Sequence, residues 1–559
     1  MLLYLSPERI HHKILYRLLP VFLAAALMLT SCSLTTQEDA SAGESASALP
    51  ESMSGLDFSE HMEISIGFWD VDDMAKAVET DGIQEYIEEL FNVTITPVSV
   101  SWSNYKERYR ILSATESLPD VFATLTISSS DCNDSGMYTY FIESGAVRAL
   151  PEDLSAYPLL SETLDSVSYI QYTDGCYYAI PRMSFSDEEL AISDAAILVR
   201  KDWMEELGWE DPESFEEFRD MCADFAAKDP DGNGEDDTIG YNVSNLSALG
   251  KWVILGLAPE CNVYSWVEED GSYVPSWSTE SFDTVVSAYR DLYTSGALDP
   301  DFYVKSATAV KEDFASGRLG AMEYKCSPSS LQEIKDLWDS MNDLPFEECV
   351  SILHIFPASD GIRYSNSSNA FWSESYLSSS VSDEKAARIL AIFEYLLSED
   401  GQTLIRYGIE DTDYVRNEDG TITSLLETGG ESLTTVLEEK YPSLALWSTL
   451  ASWGVNLSDF EGGDANSLIY DDYVSELVQE TYEWYRDNTV QVERPYAFLN
   501  YPKESTDLFS SSAAFDSFVS CIIGEDDPVE MWHAVLEEME EAGLEEYIDR
   551  QNELYNSRD

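Results

Sequence analysis

Hydrophobic positions near the start of the chain alternate between strand-like and helix-like spacing. Residues 62–69 (MEISIGFW) and 93–100 (VTITPVSV) are short runs of β-forming residues, which predict two strands. Residues 104–117 have the spacing of a helix, and residues 118–125 that of a third strand. The segment between the first two strands predicts a helix over 82–91, with an apolar stripe formed by Ile83, Tyr86, Ile87, Leu90 and Phe91.

This β-α-β-α-β order predicts an α/β fold with a doubly wound sheet, in which ligands bind beyond the carboxyl ends of the strands. Strands are also expected at 175–181 and at the start of 195–204, which runs into a helix ended by Gly208. Further helices are predicted at 211–228, 281–296, 380–398 with Ser382 as its cap, and 526–555 with a break at Gly543, and a helix, turn and strand at 310–324. A chain of 559 residues is too long for one ordinary core, so two or more lobes are expected.

The amino terminus carries the pattern of an export signal. Arg9, Lys13 and Arg17 precede an apolar run over 18–30 that is short for a membrane span. The run ends in Leu-Thr-Ser-Cys, which resembles a bacterial lipobox and implies cleavage after residue 31 and acylation of Cys32. A plain signal peptide or an anchor helix is the alternative. Residues 32–58, rich in Ser, Ala, Glu and Gly, predict a flexible tether that holds the folded part near a membrane.

Charge restricts the partners. The 106 acidic residues outnumber 31 basic ones, for a net charge of −75. Such a surface repels phosphate backbones, so nucleic-acid binding is excluded. It also argues against a strongly anionic ligand, unless a local basic pocket overrides it. Solubility or adaptation to salt explains the charge itself.

The cysteines and histidines offer little material for catalysis or for zinc. Removal of the signal leaves His61, His354 and His533, with no metal-ligand spacing. Besides Cys32 there are seven dispersed cysteines without a CxxC pair, which disfavours a zinc ribbon or a thioredoxin-type site; they are Cys132, Cys176, Cys222, Cys261, Cys326, Cys349 and Cys521.

Residues 228–241 (KDPDGNGEDDTIGY) follow the oxygen-ligand spacing of a calcium loop, with Gly234 at the sixth position, where the turn is sharp. The twelfth position holds Gly240 instead of the usual Glu, and the tenth holds Thr238, so water or a distant carboxylate would complete the site. The alternative is a hydrogen-bonded loop without metal. In either case the loop is expected to brace the fold and not to catalyse. The candidate calcium ligands are Asp229, Asp231, Asn233, Glu235 and Asp237.

Several further segments, in order along residues 60–550, resemble extracellular solute-binding proteins of carbohydrate ABC importers, in particular the Gram-positive-type lipoproteins that bind oligosaccharides. Besides the calcium-type loop, they are ILVRKDWMEELGW (197–209), SATESLPDVF (113–122), ESGAVRALPEDLSAYP (143–158), DGCYYAIPR (174–182), LYTSGALDPDF (292–302), FASGRLGAM (314–322), YLLSEDGQTLIRYGIE (395–410) and IIGEDDPVEMWHAVLEEMEEAGLEEYI (522–548).

The resemblance implies a type II periplasmic-binding-protein-like fold with two lobes, each a sheet flanked by helices, and a ligand cleft between them. It places residues 59–185 and 350–400 in the first lobe and residues 186–349 and 401–559 in the second. It also implies a monomer, lipid-anchored at the extracellular face of the cell membrane, that delivers a carbohydrate to an ABC permease.

Sugars are bound by flat aromatic faces and planar polar groups, which the 13 Trp and 33 Tyr supply amply. Trp69, Thr124 and Tyr324 are chosen because they follow or end predicted strands, Trp252 because it lies beyond the calcium-type loop, and Trp372 because the chain is expected to recross just before it. Two further candidates lie in the less well matched part of the chain, and for each candidate packing in a core is the alternative. The full set of candidates is Trp69, Thr124, Trp252, Tyr324, Trp372, Trp447 and Trp453. Trp203 and Trp209 are expected in a core, and Asp120 in a structural role.

Three other functions stay open. A surface glycosidase would use two carboxylates, but with 106 acids such pairs discriminate nothing, and no nucleophile elbow, HExxH or phosphate loop occurs. We therefore expect a protein that is not an enzyme. A binding protein for a peptide, polyamine or other cation would fit the negative charge, and a sensory or adhesive surface protein is the third alternative.

Overall fold

The computed structural model describes residues 49, 53–69, 81–102, 104–127, 135–243, 250–261, 265–417, 419–428, 432–450, 452–455, 460, 466–499, 509 and 511–557. The predicted signal peptide, Cys32 and most of the tether lie outside these ranges. Within them, no helix is both long and apolar enough to cross a membrane.

The larger sheet has six strands, in the spatial order β15-β4-β12-β3-β1-β2. The strand β1 pairs in parallel with both β2 and β3, whereas β12 runs antiparallel to its neighbours β3 and β4. The carboxyl ends of β1 to β4 therefore meet the amino end of β12 at one edge of the sheet. The six strands are β1 (Met62–Trp69), β2 (Val93–Val100), β3 (Val121–Thr124), β4 (Ala179–Phe185), β12 (Phe371–Leu377) and β15 (Ser452–Val455).

The smaller sheet has four strands, in the order β10-β5-β9-β6. The strand β9 lies antiparallel to β5 and parallel to β6, so the carboxyl ends of β6 and β9 lie beside the start of β5. These strands are β5 (Ala196–Arg200), β6 (Ile239–Val243), β9 (Leu319–Tyr324) and β10 (Val350–Ile352). Three two-stranded ribbons use β7 (Trp266–Glu269), β8 (Ser272–Pro275), β11 (Tyr364–Ser365), β13 (Tyr414–Arg416), β14 (Ile422–Ser424) and β16 (Val490–Gln491).

Helices cover the faces of both sheets. In the first half of the chain they are Gly82–Phe91, Tyr105–Ala114, Ser135–Glu143, Pro158–Ser166, Lys201–Leu207, Phe215–Ala227, Trp252–Leu257 and Phe282–Thr294, with 3-10 turns at Ser168–Ile170, Glu188–Asp194 and Ser276–Ser278. In the second half they are Ala307–Ala315, Pro328–Met341, Phe346–Cys349, Asp383–Leu397, Glu399–Tyr407, Leu433–Lys440, Leu444–Leu450, Asn466–Ile469, Asp472–Asn488, Tyr496–Leu499, Ser511–Ile523, Pro528–Glu541 and Leu544–Asn556.

Two separate hydrophobic cores define two lobes. The first core contains buried side chains from Met53 to Ile180 and from Phe371 to Ile469, around the six-stranded sheet. The second contains those from Phe185 to Phe356, together with Phe460 and residues from Val474 onward. This arrangement confirms the predicted α/β fold of two lobes, each a sheet flanked by helices.

The lobe boundaries differ from the prediction in two segments. Residues 350–356 were predicted in the first lobe, but Val350 and Phe356 pack in the second core, because β10 pairs with β5 in the smaller sheet.

Residues 401–450 were predicted in the second lobe, but Leu404, Tyr414, Leu437 and Trp447 pack in the first core. The helix Glu399–Tyr407 continues directly from Asp383–Leu397, which already packs there, so the apolar stripe of the next helices is buried against the same core. The chain reaches the second core at Phe460, returns to the first at Ile469 and packs in the second from Val474 onward.

The sequence patterns located the elements closely. The predicted strand 62–69 and helix 82–91 have the bounds found in the structure. Ser382 caps its helix by accepting a hydrogen bond from the Lys385 amide. The six cysteines that the structure describes after residue 132 are free thiols, five of them buried.

Candidate functional site

The edge of the larger sheet that faces the crossing segments gathers side chains from four strands. Trp69 is the last residue of β1 and is opposite Val100 of β2, so Trp102 follows two residues beyond the paired position. Glu374 of β12 pairs with Thr124 of β3, which brings Trp372 to the same edge. The topology therefore places three tryptophans from distant parts of the chain together.

The rings of Trp69, Trp102 and Trp372 are in mutual contact. Trp102 and Trp372 are stacked, with centroids 5.6 Å apart and planes inclined by 22°. Trp69 meets Trp102 edge-on at 5.4 Å and Trp372 edge-on at 5.6 Å. Tyr105, on the next helix, lies against Trp102 with ring centroids 5.4 Å apart and planes tilted by 30°. We call Trp69, Trp102, Trp372 and Tyr105 the aromatic cluster.

Exposure differs across this cluster. Trp69 is 6% exposed and Trp102 is 47% exposed, while Trp372 is half-buried. An indole that is held by stacking and still presents half of its surface to solvent offers a flat apolar face to a ligand. The predicted residues Trp69 and Trp372 thus lie together, with Trp69 supporting the two rings that are more accessible.

A buried arginine lies among these rings. Arg182 on β4 is 1% exposed. Its guanidinium carbon is 5.1 Å from the centroid of Trp372 and 5.5 Å from that of Trp69. Burial lowers the pKa of Arg182 to about 9, an effect that the nearby Glu374 carboxylate opposes. Because cation–π contact fixes the rings, Arg182 acts as a rigid support for the aromatic cluster.

Thr124, another predicted ligand residue, is buried at the end of β3. The following loop is held by Glu374, whose Oε1 accepts hydrogen bonds from the Thr126 amide at 2.5 Å, the Thr126 hydroxyl at 2.7 Å and the Ile127 amide at 3.1 Å. These bonds fix the backbone beside the aromatic cluster. The burial of Thr124 suits a packing role.

The second lobe contributes a charged wall. Asp194 precedes β5, Lys251 precedes the helix Trp252–Leu257, and Lys325 follows β9. Lys251 Nζ is 3.3 Å from Asp194 Oδ2, and Lys325 Nζ is 3.4 Å from Asp194 Oδ1. Ser368, on the segment that returns to the first lobe, donates a 2.8 Å hydrogen bond to Asp194 Oδ2. Burial opposes ionisation of Asp194, but the two ammonium groups and this hydroxyl outweigh it and lower its pKa.

Tyr324, predicted as a ligand residue, ends β9 beside this wall. Its hydroxyl donates a 2.6 Å hydrogen bond to Glu333 Oε2, and Lys311 lies 5.8 Å from the ring centroid. Burial and then the Glu333 carboxylate raise the pKa of Tyr324. The half-buried ring therefore has a fixed position next to Lys325.

Two predicted tryptophans lie in cores and offer no face to a ligand. Trp252 is fully buried in the second lobe, where its indole donates a 2.9 Å hydrogen bond to the Tyr485 hydroxyl and its ring meets Phe356 edge-on. Trp447 is buried in the core of the first lobe. Both lie on the inner faces of short helices, which explains their burial. Trp203 is buried as predicted. The side chain of Trp453 on β15 lies outside the described residues.

The acidic loop is closed by its own side chains. The Gly234 amide donates to Asp229 Oδ2 at 3.1 Å, and the Asn233 side-chain amide donates to Asp231 Oδ2 at 2.8 Å and to Asp237 Oδ1 at 3.1 Å. Burial, and then the Asp229 and Asp237 carboxylates, raise the pKa of Asp231. In the described residues, no three acidic, His or Cys side chains converge as a formed metal site.

Two details bear on whether calcium fits this loop. Asp229 Oδ1 is buried without a hydrogen-bond partner in the described part of the chain, and thus retains a free lone pair for a cation. Gly240, at the twelfth position, is a buried residue of β6. A Cβ added there would lie 2.2 Å from the Cys222 carbonyl oxygen and 2.5 Å from the Ala297 carbonyl oxygen. Packing therefore explains why the usual twelfth carboxylate is missing.

Sequence reasoning missed Trp102, Arg182, Lys251 and Lys325. Trp69 ends β1 and Trp102 follows β2 by two residues. The rule that selected Trp69, that ligands bind at the carboxyl ends of strands, would therefore also have found Trp102. The lysines had no comparable signal, because their proximity depends on the pairing of β5, β6 and β9.

Two α/β lobes joined by crossing segments, with aromatic side chains at one end of the larger sheet, are the fold shared by several solved solute-binding proteins. The calcium-free structure of the alginate-binding protein AlgQ2 has the same fold, with a TM-score of 0.65 at 14% identity, over 89% of this chain and 98% of that one. FusA of S. pneumoniae, in complex with kestose, gives a TM-score of 0.63 at 14% identity over 89% and 99% of the chains. These findings confirm the predicted fold class.

Two curated proteins of Bacillus subtilis strain 168 are similar in sequence. The polygalacturonan/rhamnogalacturonan-binding protein YtcQ is 26% identical over 344 residues, or 60% of this chain, and the chain spans 65% of its length, just under two thirds. Lipoprotein LipO is 24% identical over 494 residues, which cover 84% of this chain and 88% of that protein. No protein-family model matches the chain. The predicted resemblance to extracellular solute-binding proteins is thus confirmed.

Proposed function

We propose that this protein is a substrate-binding lipoprotein that captures an oligosaccharide and delivers it to an ABC permease. The observation that carries the proposal is the stacked pair Trp102 and Trp372, which presents an exposed indole face at the edge where the lobes meet. Pyranose rings have apolar C–H faces of matching size. The names of YtcQ and AlgQ2 and the kestose bound to FusA support a carbohydrate as the ligand class.

Capture depends on contacts with both lobes. A sugar that stacks on the aromatic cluster leaves its hydroxyl groups free to contact the wall of the second lobe. There, Tyr324 ends β9 and Lys325 follows it. A ligand that contacts both walls binds the closed form better than the open form, so it shifts the population toward closure. The closed form is the one that docks on the permease.

The chain is held at the extracellular face of the cell membrane through acylated Cys32, with residues 33–58 as the tether. The lipoprotein LipO, similar over most of its length, supports such an anchor. One lipid chain binds a membrane only marginally, so more than one acyl chain is needed for stable attachment. The protein acts as a monomer.

Calcium binds the loop over residues 229–237 and braces the second lobe. Burial, and then the Asp229 and Asp237 carboxylates, raise the pKa of Asp231. This repulsion, and the free lone pair of Asp229 Oδ1, would both favour a cation here. Asp229, Asp231, Asn233 and Asp237 would supply side-chain oxygens and Glu235 its carbonyl. A bound calcium would neutralise the repulsion among these carboxylates. The loop connects the helix Phe215–Ala227 to the amino end of β6, away from the strand ends where a ligand is expected, so the ion serves stability.

Binding leaves the sugar unchanged. YtcQ, AlgQ2 and FusA bear the names of binding proteins. Glu374, which lies beside the aromatic cluster, is fully buried and holds the Thr126 loop, so it is not placed to act on a bound sugar. We therefore expect no turnover.

A thermal-shift screen of the mature chain tests the proposal. Oligosaccharides of two to six residues, peptides and polyamines are compared at equal concentration, with and without calcium. A saccharide should raise the melting temperature, because a ligand selective for the native state stabilises it, and chromatography should recover it intact. Stabilisation by peptides or polyamines alone, or release of shorter sugars, would contradict the proposal.

A further inference from the structure

The wall of the second lobe carries more positive charge than one carboxylate can neutralise. Asp194 is the shared ion-pair partner of Lys251 and Lys325. The side chain of Lys325 is 58% exposed, whereas that of Asp194 lies behind it, largely buried. An ammonium group has three donors, and this ion pair uses one at most. Lys325 therefore presents unused donors and charge toward solvent.

The other acid at this wall does not remove the surplus. Glu323, next to Tyr324 on β9, accepts hydrogen bonds from the Lys251 amide at 2.5 Å and the Trp252 amide at 3.2 Å. Both of its oxygens thus face the start of the following helix. Burial raises the pKa of Glu323 to about 7, and in the described part of the chain the ion pairs of Lys251 and Lys325 are with Asp194 and not with Glu323. The nearby Glu333 is paired with Lys311.

The two lysines lie at the end of the smaller sheet where a ligand is expected. Lys325 directly follows β9, and Lys251 comes eight residues after β6, so both lie beyond the carboxyl ends of strands. Lys251 Nζ also lies 3.5 Å from the Ser368 hydroxyl, four residues before Trp372 of the aromatic cluster. A ligand on the indole faces is therefore near the lysines.

The chain as a whole makes this wall unusual. The chain has 106 acidic residues and 31 basic ones, so a site where two lysines share one carboxylate as their ion-pair partner runs against the average. Exposed charges farther than about 8 Å are screened at physiological salt, so the two lysines set the local potential. A neutral sugar would leave this charge without a counterpart.

We propose that Lys251 and Lys325 make the cleft selective for saccharides that carry carboxylate groups, the hexuronic acids. This inference rests on the proposed function and narrows it to a substrate class. Lys325 contacts the carboxylate directly, and Asp194 holds both ammonium groups in place. The aromatic cluster binds the ring face, which acidic and neutral sugars share, so the lysines supply the discrimination.

Matched ligands test this inference. Trisaccharides of galacturonate, glucuronate and mannuronate are compared with their methyl esters, which keep the ring, linkage and length but lose the charge. Calorimetry at 150 mM NaCl measures each dissociation constant. For at least one pair the acid should bind about tenfold or more tighter than its ester, because a hydrogen bond to a charged group adds about 1.5–3 kcal/mol.

Three variants assign the effect. Lys325→Gln should reduce the preference for the acid to about threefold or less, while Lys325→Arg should retain most of it. Lys228→Gln is the control: Lys228 is 53% exposed, pairs with Asp224 and lies before β6, whereas Lys251 lies after that strand. It should leave the preference unchanged. Circular dichroism and the melting temperature check that each variant is folded.

The outcomes distinguish a failure of the selectivity for acidic sugars from a failure of the proposed carbohydrate binding. If esters or neutral saccharides bind as tightly as the acids, or Lys325→Gln keeps the full preference, the selectivity is overturned while carbohydrate binding stands. If no saccharide of either class binds, both are overturned.

Discussion

The two lobes use tryptophan differently. The second lobe buries five tryptophans almost completely: Trp203, Trp252, Trp277, Trp338 and Trp532. The first lobe also buries Trp447, but it places Trp69, Trp102 and Trp372 at a sheet edge, where Trp102 remains 47% exposed. The wall that the second lobe presents is instead made of Lys251, Lys325 and Asp194.

The difference shows that residue type alone does not mark a sugar site. Trp69 ends β1 and Trp102 follows β2 by two residues, whereas Trp252 comes nine residues after β6. Trp252 starts a helix whose inner face packs on the core. Trp102 lies in the turn before its helix and stays at the surface. Position relative to the sheet edge, and not tryptophan content, separates binding from packing.

The largest effect on stability is expected from Trp252→Ala. Removing a fully buried indole leaves a cavity and deprives the Tyr485 hydroxyl of its donor, so the unfolding free energy of the second lobe should fall by about 3–5 kcal/mol. Chemical denaturation measures it. Trp102→Ala, the matched change at the exposed ring, should cost far less, and equal losses would break the contrast between the lobes.

A pH-dependent effect is expected from Glu323→Gln. The pKa of Glu323 is raised from 4.5 to about 7, mainly by burial. The native state therefore holds this proton more tightly than the unfolded state, and wild type loses stability as pH rises from about 4.5 to about 7. The variant lacks this loss, so its stability relative to wild type should improve across that range, by about 1–3 kcal/mol.

Denaturation at pH 5 and pH 8 measures that difference, because any lost hydrogen bond adds an offset that is the same at both pH values. A difference between variant and wild type that stays constant between the two would show that Glu323 has an ordinary pKa.

Calcium should stabilise the second lobe. At a hundredfold excess over its dissociation constant, a ligand of the native state adds about 2.7 kcal/mol. The melting temperature should therefore rise with calcium, and less with magnesium, which prefers a tighter octahedral site. Asp229→Asn should abolish this rise. Asp236→Asn, in the same exposed loop but outside the proposed ligand set, should retain it; equal responses of the two variants would contradict the ligand assignment.

The sequence alone could predict much of the fold because strand and helix periods are local. The stripe Phe215, Phe218, Met221, Cys222 and Phe225 is buried as its spacing requires. The assignment of residues 401–450 to a lobe could not be read in this way, since an amphipathic helix does not reveal which core receives it. Trp69 was predicted from a strand end and Trp372 from the expected recrossing of the chain, whereas the lysines around Asp194 are joined only by sheet pairing.

The central claim is that the exposed indole of Trp102 binds the ring face of a sugar. The most direct measurement is the calorimetric affinity of Trp102→Ala for the tightest saccharide found in the screen. We expect about a tenfold loss or more, as for a residue at the centre of a binding site, with the melting temperature of the free protein nearly unchanged. An affinity equal to that of wild type would contradict the claim.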